Sequence, residues 1–235
     1  MLKKLVGGLF LIVFSFMNNS CQKEVEQAVV YEEAPAVCIR DEASVRIEAS
    51  QKASRVSTMA LGEKVTWLGR SEIDSSDKTI TYLNIRLSDG TEGWTWDKLL
   101  VVNAKPAVAI ENAIVYRRPD LVTETDKTFE PMELVALKKT LGDWIEVVGE
   151  KKIKKGWIHA KLVSSKDSDV AVALLALQAY AVKDDEKMKK KIEVILNNAA
   201  FSRSVFINDL NNKIMSLEKS EIIPEEPIHP ASDTE

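Results

Sequence analysis

Gly93-Trp94-Thr95-Trp96-Asp97-Lys98-Leu99 and Gly156-Trp157-Ile158-His159-Ala160-Lys161-Leu162 are two readings of one pattern, G-W-x-x-x-K-L, within a chain of 235 residues. A pattern that recurs in one chain implies a recurring structural unit, so it takes precedence over any local assignment. The likeness extends upstream of the motif. Val45-Arg46-Ile47-Glu48-Ala49-Ser50 aligns with Val115-Tyr116-Arg117-Arg118-Pro119-Asp120, Leu61 to Leu68 lies over Glu130 to Leu137, and Tyr82 to Arg86 lies over Trp144 to Val148. Both copies read as short alternating strands. Tyr82, Asn84 and Arg86 alternate with Leu83, Ile85 and Leu87, the period of two expected of a half-buried strand. Asp89-Gly90 is a two-residue hairpin signal leading into the Gly-Trp strand, and Gly149-Glu150-Lys151-Lys152 takes that place in the second copy. About five such strands in about 60 residues predict a small antiparallel barrel in each copy.

In this order the segments resemble the bacterial SH3-like domain, in two tandem copies covering residues 36–102 and 107–165. The chain departs from that pattern in a longer first loop, Ser71 to Lys78, and in Pro131, which the alignment sets over Gly62. The resemblance implies binding, since such domains attach bacterial proteins to cell-wall peptides or mediate protein contacts, often beside a wall-cleaving enzyme. The residues carry no motif for such an enzyme. Wall hydrolases of that kind need a Cys with a His, or His and Asp ligands for zinc, whereas this chain has only His159 and His229. A carboxylate pair for glycoside cleavage has no motif behind it either. The expectation is a protein without catalytic residues, metal or cofactor.

Aromatic residues near strand ends are the candidates for a ligand groove: Tyr82, Trp96, Tyr116, Trp144 and His159, the last matching Trp96 in the second copy. A barrel this small also needs large aromatics for its core, and Trp94 and Trp157 are assigned there. Period two places Trp94 and Trp96 on one face with Thr95 opposite.

Beyond Ser168 the period lengthens to about 3.6. Val170 to Val182 is apolar nearly all round, and Met188, Ile192, Ile195, Ala199 and then Phe206, Leu210, Ile214, Leu217 recur at helical spacing. The fold class expected is therefore mainly β with an α-helical C-terminal region: two tandem small SH3-like antiparallel barrels followed by about three helices over 168–220. These helices are expected to pack within the chain, with homo-oligomerisation through them as the alternative.

The N-terminus reads as an export signal over 1–20. Lys3 and Lys4 precede an apolar run from Leu5 to Met17, too short for the roughly 20 residues of a membrane span. Cys21, after Ser20, resembles the lipidation site of bacterial lipoproteins, although Asn18 and Asn19 depart from the usual pattern. Lipidation there would anchor the chain to a membrane of the cell envelope. Ordinary secretion, with Cys21 free or paired to Cys38, is the alternative; Cys38 itself, between Val37 and Ile39, reads as a buried strand residue. An acidic tether then runs over 21–35, and a Pro-rich acidic tail over 221–235 is expected to be disordered. The net charge is -4, and loss of Lys3 and Lys4 with a signal makes it -6. With its charges interspersed, that balance argues against nucleic acid. The one basic run, Lys151, Lys152, Lys154 and Lys155, reads as a solvated turn. The partners expected are peptidoglycan or a periplasmic or envelope protein.

Overall fold

The computed structural model describes residues 31–222, with side chains to residue 219; the signal segment, Cys21, most of the tether and the acidic tail lie outside the described residues. Two seven-stranded antiparallel sheets are followed by three α-helices. The first sheet holds β1 (Ala34–Cys38), β2 (Ala43–Arg46), β3 (Arg55–Met59), β4 (Lys64–Ile73), β5 (Thr81–Arg86), β6 (Glu92–Trp96) and β7 (Leu100–Val102). The second holds β8 (Lys105–Ala109), β9 (Ala113–Tyr116), β10 (Glu124–Phe129), β11 (Leu134–Leu141), β12 (Trp144–Gly149), β13 (Lys155–His159) and β14 (Val163–Ser164). Strand order is β3-β2-β6-β5-β4-β1-β7 in one and β10-β9-β13-β12-β11-β8-β14 in the other. The two orders are identical strand for strand, so the repeat seen in the motif is a repeat of topology.

The expected barrels do not close. Each ladder ends on two unpaired edges, β3 and β7 in the first sheet and β10 and β14 in the second. Each sheet nevertheless curls, because residues from its opposite edges share one core: Met59 of β3 meets the cluster of Leu100 of β7, with Cys38, Val45 and Ile85 between them. The second core centres on Phe129, Val135, Val147 and Ile158. Burial of this kind is the main favourable term for so small a unit. Cys38 is fully buried in β1, its Sγ donating to the Arg40 carbonyl at 3.0 Å, and burial pushes the thiol up to about 11.

Alternation along a strand decides what each unit meets next. In β1, Ala36 and Cys38 face their own core, while Val37 and Ile39 turn outward onto Ala136 and Val148 of the second copy. In β8 the equivalent Ala107 and Ala109 face inward, while Val108 turns outward onto the helices. Those helices are α1 (Asp167–Tyr180), α2 (Asp185–Leu196) and α3 (Ile207–Ile222). Asp184 caps α2 by accepting from the Lys187 amide at 2.9 Å. Ala173, Ala176, Ile192, Phe206 and Leu210 close one core with Val108, Met132 and Leu134. Asp169 is fully buried where α1 leaves the sheet; its carboxylate accepts from the Ser164 hydroxyl and, at 3.1 Å, from the Val205 amide. Among the described residues no helix is long and apolar enough to cross a membrane.

Two boundaries differ from expectation. Within the described part of the tether, Arg70 lies over the Tyr31 ring, and Glu33 takes a two-pronged bond from Arg86 at 3.0 and 3.2 Å. At the other end, α3 runs to Ile222. The alignment of the copies also needs a one-residue correction. Gly62 donates to the Cys38 carbonyl and Met132 to the equivalent Ala109 carbonyl, both from left-handed backbone (φ +82° and +68°), so Met132, and not Pro131, stands at the glycine position. The two turns share a second signature. The Ala60 amide donates to Glu63 at 2.8 Å and the Glu130 amide to Glu133 at 3.1 Å.

Candidate binding cleft

The glycine of each G-W motif is there for backbone approach. A Cβ on Gly93 would lie 2.6 Å from Val45 Cγ1 and 2.7 Å from the Arg46 carbonyl; one on Gly156, at φ +151°, would lie 2.4 Å from the Tyr116 carbonyl. Glycine lets β6 close on β2, and β13 on β9. The residues that follow alternate. Thr95 and Ile158 are fully buried and point inward, Thr95 donating its hydroxyl to the Ser44 carbonyl at 2.9 Å. Trp94 and Trp96 therefore share the outer face, as do Trp157 and His159.

That corrects the assignment of Trp94 and Trp157 to the sheet cores. Trp94 is buried, but in a separate outer cluster with Ile80 and Tyr82, and Trp157 is only partly buried. The interior position in each motif belongs to the residue after the tryptophan. A cation covers each outer ring from the equivalent place on the hairpin: Arg70 lies 5.4 Å from the Trp94 centroid, and Lys139 lies 5.2 Å from that of Trp157.

Register then sorts the groove candidates. Tyr82 pairs with Trp96 and Trp144 with His159, while Arg46 opposes Trp94 as Tyr116 opposes Trp157. The five candidates are thus one three-residue constellation seen twice, Arg46-Tyr82-Trp96 and Tyr116-Trp144-His159. Arg46 is the member the sequence reading missed, although it already stood over Tyr116 in the alignment.

The two constellations differ in what they leave open. In the first copy a cleft of about 260 Å³ opens between Ser44, Arg46, Gln51, Ile80, Tyr82 and Trp96. Tyr82 is its floor at 4% exposed, and Trp96 is a half-buried wall. The Trp96 Nε1 is buried with no hydrogen-bond partner among the described residues, a donor left unsatisfied at a cost of about 1–3 kcal/mol. Arg46 is steadied by donating to the Ala53 carbonyl at 2.6 Å. Gln51 is fixed by the long first loop. Its amide donates to the Asp74 carboxylate at 2.8 Å, which also accepts from the Ser76 amide and hydroxyl at 2.8 and 2.7 Å. These bonds, the Ser76 hydroxyl foremost, hold the Asp74 carboxyl down at about 2.

In the second copy the rings occupy one another. Trp144 and His159 stack at 4.2 Å and 27°, and Tyr116 sets its edge to Trp144 at 4.9 Å. Among the described residues no three His, Cys, Asp or Glu side chains are grouped to hold a metal ion. The Phe206, Leu210, Leu217 stripe is buried within the chain, with Ile214 packed beside it.

No family model and no curated protein matches the chain. Similar solved structures include NlpC2 from Trichomonas vaginalis, at 11% identity over 69% of this chain and 56% of that one, with a TM-score of 0.26. NlpC1 from the same organism matches at 12% identity over 64% of this chain and 55% of that one, also at 0.26. The chain spans little more than half the length of each, and scores this low do not establish a shared fold.

Proposed function

We propose that this chain is a non-catalytic binding protein of the bacterial cell envelope, lipid-anchored through Cys21, whose two SH3-like units serve recognition. The observation that carries the proposal is the first-copy cleft, where Arg46, the aromatic floor of Tyr82 and the wall of Trp96 line one opening of about 260 Å³. Such a cleft suits a short peptide. Its carbonyl or carboxylate oxygens would pair with Arg46, and its apolar side would lie on Tyr82 and Trp96. Peptidoglycan stem peptides have that chemistry. Oligomerisation through the helices is disfavoured, because the stripe it would use is buried in the core that the helices share with the second sheet.

The test is co-sedimentation of the intact chain with purified peptidoglycan, beside Trp96→Ala, which removes the aromatic wall, and Arg46→Gln. Binding that both variants weaken by about tenfold supports the reading. A folded chain that stays in the supernatant rejects wall binding and leaves a protein partner as the ligand of the cleft.

A further inference from the structure

The basic run read from sequence as a solvated turn is one, with Lys151, Lys152 and Lys155 exposed, but its backbone differs from that of the first copy. Where the first copy turns at Asp89-Gly90, with the left-handed residue a glycine at φ +87°, the second places Lys151 and Lys152 at φ +55° and +58°. Glycine would adopt this left-handed backbone without the steric strain that a Cβ brings. The strained turn is held across the two copies: the Lys151 amide donates to the Ile39 carbonyl at 3.1 Å, and Lys152 Nζ donates to the Asp97 carbonyl at 2.9 Å. The backbone clamp explains why the turn is bent; a glycine could make the same amide bond. It does not explain why the bent residues are lysines.

Lys152 reaches into a groove between the copies, about 360 Å³, floored by Leu100, Val101 and Val148 and flanked by Lys138 and Lys155. Asp97 is the one carboxylate residue on its lining, against three lysines. Among the described residues none of those three lysines forms an ion pair with a carboxylate, unlike Lys139, Lys151 and Lys154 nearby. Burial of the Lys152 ammonium and repulsion from Lys98 and Lys155 depress its pKa, with Asp97 opposing them. The groove therefore holds an excess of positive over negative groups above an apolar floor.

The geometry points to this groove as a binding site for a phosphate group, with Lys138, Lys152 and Lys155 as its ligands and the apolar floor beneath the group that carries it. Ammonium point charges on flexible stems suit the tetrahedral, multiply charged oxygens of phosphate better than a planar carboxylate. Free phosphate and the headgroup of an anionic phospholipid share this chemistry.

The experiment uses the full chain and its Lys138→Gln, Lys155→Gln double variant, which alters only exposed side chains. A control of equal charge, Lys187→Gln with Lys190→Gln, lies on α2. Inorganic phosphate is titrated by calorimetry, and vesicles of phosphatidylcholine with and without phosphatidylglycerol are floated with each protein. The groove variant should bind about tenfold more weakly than the control in whichever arm binds. Saturable binding of inorganic phosphate assigns the site to free phosphate, and binding that needs phosphatidylglycerol assigns it to the headgroup. Equal losses in groove variant and control, or no binding in either arm by the folded chain, overturn the proposal.

Discussion

The two copies solve the same packing problem with different side chains, and the differences come in matched pairs. Met59 and Phe129 hold equivalent places on the third strand of their sheets, opposite Ala43 and Ala113. The smaller Met59 shares its core with Leu87, whereas a Cβ on Gly149, the residue in the Leu87 position, would come within 2.6 Å of Phe129 Cε1. Volume lost on one strand is returned on another, so total volume was held while individual residues drifted. The outer faces behave otherwise. There the first copy leaves a cleft and an unpaired indole, and the second fills the space with stacked rings. Core volume is held between the copies while their outer faces diverge, and only the first face is left open.

The comparison is broken most severely in the second core. Phe129→Ala should cost about 4 kcal/mol of unfolding free energy, read from denaturant titration. Gly149→Leu should cost about 3 kcal/mol alone, and adding Phe129→Met should recover about 2 kcal/mol by recreating the first copy's pair. Additive single costs would show that the two copies do not exchange volume in this way. Next come the motif glycines: Gly156→Ala, against a carbonyl and at positive φ, is expected to cost about 3 kcal/mol, and Gly93→Ala about 2 kcal/mol. Smaller is the ring contact. A double-mutant cycle on Trp144 and His159 should return a coupling of about 1 kcal/mol.

The last comparison is in acid. Asp74 is held down to about 2 in the folded chain against about 4 when unfolded, so its contribution is complete above pH about 4 and lost as pH falls through about 2. The second copy makes its hairpin with Gly142-Asp143 and has no counterpart to Asp74. Asp74→Asn should flatten acid unfolding in this window, read by tryptophan fluorescence, and widen the cleft by freeing Gln51. An unchanged acid limb would remove the loop's role.

Much of this was legible in the residues. The motif pair and the change of period after Ser168 carried the two-sheet, three-helix order, because alternation and helical spacing are properties of a strand or helix taken alone. What sequence could not carry were relations between strands. Trp94 and Trp157 were placed inside because size suggests burial; the register that sends Thr95 and Ile158 inward is set by β2 and β9, far off in the chain. The slip between Pro131 and Met132 has the same origin, since Val65 resembles both Leu134 and Val135 in polarity, and only the bonds to Cys38 and Ala109 separate them. Arg46 escaped because a charged side chain on an otherwise aromatic surface reads as solvent-facing until its neighbours are known.

The outward-facing Val37 and Ile39 of the first sheet abut the second copy, and Val108 and Ile110, their equivalents, abut the helices. The helical layer thus stands where a third copy would stand, and acts as the terminator of a head-to-tail array. A chain ending at Ser164 would present that apolar face bare, while its opposite end offered the complementary Ala136-type surface only within its own pair. Such a truncation has an apolar face whose counterpart is already occupied, so it is expected to pair face to face or to aggregate.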